Sequence, residues 1–299
     1  KDVAFEHPLF DAGSVITDHR TKEIVAFSYM ADRPMEYYVD DKLAATMESI
    51  STALGAKLEK IDWTDLANGK KVKVEVADGD SVELVDYSAD FTRLIVLKSG
   101  PANPGDYYLY QDGKGLFPLG PVNPSIDRTK LGEGHMVQYT ARDGRPIPAF
   151  VYKPNPETFG KGPYPTLIIP HGGPWARDYI NFDWQTQALA SRGYAVLQPN
   201  YRGSTGYGDK LDRKSTRLNS RGQEMSDDMD DVALGMVKEG LADPKRLAMH
   251  GYSFGGYSTM AAIVRPNPIY QCAISGAGPS SPKSMQDRTK DSRFGREFQ

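Results

Sequence analysis

One cysteine, Cys272, in 299 residues excludes an internal disulfide framework and leaves too few thiols for a cysteine-bound metal. Charge is nearly balanced, 36 Lys plus Arg against 39 Asp plus Glu. A net charge of −3 gives no electrostatic footprint for nucleic acid or an anionic membrane. No apolar run approaches the roughly 20 residues of a membrane span, and no basic-then-apolar leader opens the chain. The first residue is Lys1 rather than methionine, so the missing leader assigns no compartment, and the chain reads as a processed product or a fragment. Histidine is scarce as well. His7, His19, His135, His171 and His250 are the five, and none follows His250.

What remains has the composition of a soluble globular protein, 39% hydrophobic and 25% charged, long enough for one large domain or two ordinary ones. Residues 1–130 read as short antiparallel strands. "GSVITDH", "EIVAFSYM", "MEYYVD", "KKVKVEVAD", "FTRLIVLKS" and "DYYLYQD" are rich in Val, Ile, Tyr and Phe, and turns such as "ADGD", "SGPANPGD" and "DGKG" separate them. Such spacing suits blades of a propeller or a sandwich. A helical insertion lies near 41–54, with Leu43, Met47, Ile50 and Leu54 on one face and Gly55 as its stop.

The pattern changes near residue 131. Asp143-Gly144 between two strand-like runs predicts a hairpin. From Tyr164 onward strands alternate with helices: "YPTLIIP", helical "NFDWQTQALASRG", "YAVLQPN", helical "SDDMDDVALGMVKEG" with Ser226 as N-cap, then "RLAMH". Met229, Val232, Met236 and Val237 make one buried stripe on that second helix. This alternation predicts a parallel sheet with crossover helices over 131–299. The acids of "DDMDD" sit at a helix start, where capping accounts for them, so no metal site is read there.

Chemistry concentrates in three stretches. Gly251-Tyr252-Ser253-Phe254-Gly255 fits G-x-S-x-G, a strand-to-helix turn that thrusts a serine hydroxyl outward. Alone the pattern is weak, since average glycine usage yields about 0.1 chance matches in a chain this long. Its context is right: an apolar strand precedes it and "GYSTMAAIV" continues as a helix. Gly251, Gly255 and Gly256 would let neighbouring backbone pass close by. Secondly, "IIPHGGPWARD" ends an apolar strand in His171-Gly172-Gly173-Pro174. A glycine N–H there, with that of Phe254, would form an oxyanion hole, while a plain turn is the alternative. His171 precedes the serine in sequence and is read as a prop for its loop. Thirdly, "QPNYRGSTGYGD" follows the next strand at the edge where such sheets bind ligands. Its Arg202 either holds a substrate carbonyl or pairs with a nearby acid. His250 reads as a packed strand residue.

Taken in order, "HGGPWARD", "NYRGSTGYGD" and "GYSFGGY", with "DPKRLAMHGYSFGGYSTMAAIV" and "QCAISGAG", resemble the prolyl oligopeptidase family of serine peptidases, in its acylaminoacyl-peptidase-like branch. The likeness is strong over 132–299 and looser before it, where "YYLYQDGKGLFPLG" fits a propeller blade. The resemblance implies an α/β hydrolase fold preceded by all-β blades of a partial β-propeller. It also implies cleavage of short peptides through an acyl-enzyme on Ser253, with no cofactor. Phe254 and Gly172 or Gly173 become the oxyanion donors.

Two features depart from the family. In α/β hydrolases the acid and then the histidine follow the serine. At roughly 30 residues per strand–helix unit, they need about 60–100 residues after it, more than this sequence supplies. The triad Asp and His are therefore expected beyond residue 299, the sheet cut short at its C-terminal side, and the chain alone inactive. The basic run "DRKSTRLNSR", 212–221, has no counterpart in the family's pattern and reads as a solvated loop, with a substrate-facing patch or an artefact as alternatives. A carboxylesterase on the same fold, or a non-catalytic peptide binder, stays open as a rival.

Overall fold

The computed structural model describes residues 3–18, 20–208, 211 and 223–281. His19 and the run 212–221 lie outside them. The chain gathers into two compact units: 1–136 with 152–160 and 179–193, and 137–151 with 161–178 and 194–299.

The first unit is built of hairpins. β1 (Ala12–Thr17), β2 (Ile24–Met30) and β3 (Pro34–Tyr38) form one antiparallel sheet. β4 (Leu58–Thr64) pairs with β5 (Lys71–Ala77), and β6 (Ser81–Tyr87), β7 (Arg93–Gly100), β8 (Asn103–Gln111) and β9 (Gly115–Pro121) make a four-stranded meander. The sequence pattern predicts no separate strand at β4, β6 or β9. The first two alternate charged with apolar residues and are exposed along much of their length. β9 carries Pro118 and Pro121, tolerated because it is the outer strand of its sheet.

Between β3 and β4 lies helix α1 (Asp41–Ala53). Asp40 caps it, its carboxylate accepting from the Leu43 N–H at 2.7 Å. Leu43, Met47 and Ile50 fall on one face and pack with Val25, Leu84, Leu94 and Val96, the apolar core of this unit. Helix α3 (Trp184–Ala190), after the short α2 (Pro156–Phe159), also belongs here. Its buried Gln187 receives the Gly132 N–H at 2.8 Å and donates to Pro101 O at 2.6 Å and Gly132 O at 2.8 Å, so a polar side chain sits inside with its amide satisfied.

The second unit is built on a six-stranded sheet of order β10-β11-β13-β12-β14-β15. β10 (Glu133–Thr140) and β11 (Pro146–Lys153) flank the Asp143-Gly144 turn, where Gly144 takes φ +82°. β12 (Tyr164–Ile168) runs parallel to both β13 (Ala195–Pro199) and β14 (Ala242–Tyr252), and β14 runs parallel to β15 (Cys272–Gly276). All five residues of β13 are buried. α4 (Glu224–Lys238) precedes β14 and α5 (Phe254–Val264) follows it. α4 starts two residues before the expected cap: Ser226 is buried inside the first turn, and Gln223 occupies the cap position without a side-chain bond. Extending the helix brings Met225 into line with Met229, Val232 and Met236 on the buried stripe, which outweighs a serine cap. Val237 stands half-buried beside that stripe.

Candidate active site

β14 ends at Tyr252 and α5 begins at Phe254, leaving a single residue, Ser253, to make the corner. Its backbone is at φ +56°, ψ −121°, a conformation that costs a non-glycine residue about 1–3 kcal/mol. Backbone contacts hold it there: the Ser253 N–H donates to Gly276 O at 2.9 Å, and the Tyr257 N–H donates to Ser253 O at 3.1 Å. The corner is too tight for side chains around it. An added β-carbon on Gly251 would strike the Gly255 carbonyl, one on Gly255 would strike Pro170 O, and one on Gly256 would lie 2.7 Å from Gly276 O. The glycine pattern of the sequence is therefore a demand of close backbone approach. Ser253 itself is exposed, and its hydroxyl neither caps α5 nor bonds any other described residue.

The loop after β12 comes to the same place. An added β-carbon on Gly172 would sit 3.4 Å from Tyr252 O, 3.5 Å from Ser253 Cβ and 3.9 Å from Ser253 Oγ. Gly173 is at φ +122°, where a side chain would run into the Trp175 N–H, 2.7 Å away. Phe254 is buried, and its N–H opens the helix N-terminus that follows the serine.

His171 is buried, and both its ring nitrogens are engaged within the protein. Nδ1 lies 2.7 Å from Gly172 O and Nε2 lies 2.8 Å from Ser204 Oγ. The Tyr201 ring stacks on the imidazole at 4.4 Å, and its hydroxyl donates to His171 O at 2.8 Å. Burial, assisted by Arg177, pushes the His171 pKa down to about 4, although the Gly172 carbonyl pulls the other way. The ring is therefore neutral at pH 7. Only Arg202 was singled out of "NYRGSTGYGD" in the sequence, yet Tyr201 and Ser204 are the residues of that stretch that touch His171. The signal available was their place, just past the end of a buried strand.

Arg202 is buried and filled by acids. It forms a two-pronged pair with Asp228, Nε at 2.8 Å and Nη2 at 2.6 Å, and its own N–H donates to the same carboxylate at 2.9 Å. Asp143 at 3.0 Å and Glu224 at 3.3 Å occupy the rest of the guanidinium. The other acids of α4 are answered in the same way. Asp231 and Asp227 pair with Arg142, and Asp227 and Asp230 pair with Arg265. The "DDMDD" run is thus a set of ion pairs reaching three other segments. Among the described residues no group of His, Cys, Asp or Glu is placed to hold a metal, and no helix is long and apolar enough to cross a membrane. His250 lies on β14 opposite Ile274 of β15, and His7 and His135 belong to β-rich segments before residue 137.

The chain is similar in sequence and in fold to known peptidases. The profile of the prolyl oligopeptidase family matches residues 180–299. Dipeptidyl aminopeptidase BIII of Pseudoxanthomonas mexicana is 29% identical over 287 residues, which are 94% of this chain and 38% of that protein. Among solved structures, a puromycin-hydrolyzing peptidase of Mycobacterium tuberculosis superposes with a TM-score of 0.59 at 26% identity, covering 81% of this chain and 38% of that one. The acylaminoacyl peptidase of Pyrococcus horikoshii superposes with a TM-score of 0.64 at 22% identity over 97% of this chain and 40% of that one, which is a likeness of fold. The chain thus spans well under half the length of these relatives. Residues 180–299 thus carry the sequence profile of the prolyl oligopeptidase family, and the chain is similar to peptidases in sequence and in fold.

Proposed function

We propose that Ser253 is the nucleophile of a serine peptidase of dipeptidyl- or acylaminoacyl-peptidase type, acting on short peptides. One observation carries this reading. An exposed hydroxyl, free of bonds to described residues, stands on a positive-φ corner between strand and helix with the Gly172 loop beside it. In this reading residues 1–130 are the last blades of a β-propeller and 131–299 the first part of an α/β-hydrolase domain.

The chemistry is acyl transfer. Ser253 Oγ attacks the scissile carbonyl, and the carbonyl oxygen takes up negative charge. The N–H of Phe254 and one from Gly172 or Gly173 receive that charge, helped by the N-terminal end of α5. The proton from Ser253 needs a base. His171 is buried and its nitrogens are occupied, and no histidine of this sequence follows Ser253. The base and the acid that orients it are therefore assigned to sequence outside these 299 residues, in keeping with the share of the relatives that the chain covers.

The test compares the protein from its complete reading frame with the 299-residue chain. The former should cleave dipeptidyl or acylaminoacyl anilides more efficiently than p-nitrophenyl esters. Ser253→Ala should lower that activity by roughly a thousandfold or more. The 299-residue chain should react with a fluorophosphonate only slowly. Rapid, stoichiometric labelling of that chain would place the base within it, and full activity in Ser253→Ala would end the nucleophile assignment.

A further inference from the structure

We propose that Tyr201 and Ser204 are positioning residues for the reaction. Acting through His171, they hold the Gly172 backbone at the distance from Ser253 that an oxyanion donor requires. The inference rests on the reading of Ser253 as nucleophile and Gly172 as part of the oxyanion hole.

The argument begins with a hydrogen inventory. A carbonyl oxygen only accepts, so the 2.7 Å contact between His171 Nδ1 and Gly172 O puts the ring hydrogen on Nδ1. Near neutrality the buried ring carries that hydrogen alone. Nε2 is then an acceptor, and the donor facing it is the Ser204 hydroxyl at 2.8 Å. Ser204 is completely buried, and its oxygen also lies 2.7 Å from Tyr201 O. The single hydroxyl hydrogen therefore sits between an imidazole and a main-chain carbonyl. The carbonyl keeps the Ser204 N–H at 3.0 Å, but removing the hydroxyl takes from His171 Nε2 the donor that faces it inside the protein.

Tyr201 fixes the same imidazole from another direction. Its ring stacks on His171 with planes 15° apart, and its hydroxyl grips His171 O. The Tyr201 ring also stacks on Phe254, centroids 6.3 Å apart. One side chain thus touches both residues whose neighbours or own N–H would stabilise the oxyanion. Burial holds the Tyr201 phenol far above its ordinary pKa of 10.0, so it stays a donor across the working range.

The segment bearing these two residues is itself anchored. Arg202, between them, is locked to Asp228 of α4. On the glycine-loop side the Asp178 N–H donates to Asn200 Oδ1 at 2.8 Å, and the Thr205 N–H donates to Ala176 O at 3.0 Å. Two loops joined along their length, with His171 clamped between them, leave Gly172 little freedom to move from the serine. Charge on the oxyanion develops only in the transition state, so loosening this clamp should act on kcat and leave KM nearly unchanged.

The experiment uses the protein from its complete reading frame and an anilide that it cleaves. Ser204→Ala and Tyr201→Phe are compared with the wild type. Turnover is expressed per Ser253 titrated to completion with a fluorophosphonate, so that misfolded protein drops out of the count. Each variant is expected to lose about 10- to 100-fold in kcat per titrated site, with KM within about threefold of wild type. A kcat per site within twofold of wild type in both variants overturns the inference while leaving Ser253 in place. A loss carried in KM alone overturns it as well, because it would put the two residues in substrate binding. Undiminished turnover by Ser253→Ala overturns the reading beneath it.

Discussion

The two units hold themselves together by different means. In the first, each strand pairs with its neighbour in sequence, and the core is an apolar cluster laid against one helix face. Among the described residues its fully buried ion pair joins adjacent residues, Asp32 and Arg33, while its longer-range pair, Arg128 with Asp106, is only half-buried. In the second, sequence order is broken: β13 lies between β11 and β12, and β14 on the other side of β12. Buried or half-buried arginines there reach acids far along the chain, Arg202 to Asp228 and Arg265 to Asp230. The difference bears on function. Hairpins return the chain to the point it left, whereas parallel strands with crossovers bring successive loops to one edge of the sheet. The loops after β12, β13 and β14 carry Gly172, Tyr201 with Ser204, and Ser253.

If ion pairs hold the second unit, the largest single loss should come from Arg202. Arg202→Leu leaves Asp228 uncompensated where none of its side chain reaches solvent, and breaking such a pair costs about 3–5 kcal/mol. Burial already raises the Asp228 pKa above its ordinary 3.8 against the pull of Arg202. Without the arginine the carboxyl should bind a proton more readily still when folded than when unfolded. The deficit should therefore be largest at neutral pH and shrink as the pH falls. Urea unfolding at pH 7 and pH 5 reads both parts. A loss under 1 kcal/mol would mean that the second unit, like the first, rests on apolar packing.

The next effect belongs to His171 and concerns proton linkage. Its folded pKa of about 4 lies below the unfolded value of 6.5, because the charged ring would be desolvated and close to Arg177. Between those values the unfolded chain binds more protons than the folded one. The contribution is therefore complete above pH 6.5, falls as the pH drops toward 4, and levels off below it. At 1.36 kcal/mol per pH unit the swing has a ceiling of about 3 kcal/mol. Carboxylates titrate in the same window, so the measurement is a difference: stability against pH for wild type minus that for His171→Gln. A difference that does not change between pH 7 and pH 4 would mean that the ring is hydrated.

Both predictions concern groups that the sequence disclosed unequally. The corner at Ser253 was legible because tight backbone approach leaves only glycine at 251, 255 and 256, and that demand is written in residue type. The α1 face and the Asp143-Gly144 turn were legible for similar local reasons. Partners separated along the chain were not. The acid run of α4 looked like capping, since nothing near it in sequence shows that Arg142, Arg202 and Arg265 arrive from elsewhere. β9 was hidden because its prolines are acceptable only on an outer strand, and position in a sheet is a tertiary fact. Tyr201 and Ser204 are ordinary polar residues until His171 is seen between them.

In the first unit the expected losses are those of packing. Ile50 is 2% exposed among Leu43, Met47 and Leu94. Removing one methyl group with Ile50→Val should cost about 1 kcal/mol, with no pH dependence. Thermal unfolding of wild type and variant at two pH values checks both halves of that statement. A pH-dependent loss would point to a buried charge coupled to the cluster and would erase the distinction between the units.

The smallest effect is expected on the β4–β5 ribbon. Lys60 and Glu75 face each other directly in the register and meet at 3.1 Å, with 64% and 58% of their side chains exposed. Water and salt screen such a pair, and holding two long side chains in one geometry offsets most of the attraction. Lys60→Ala should leave the urea midpoint within error at low salt and unchanged in 0.5 M NaCl. A loss comparable to that of Ile50→Val, disappearing in salt, would show that charge fastens the first unit too. The contrast would then lie in strand order alone, because an exposed pair that stabilises as much as a buried methyl group leaves the arginine network of the second unit nothing distinctive in kind.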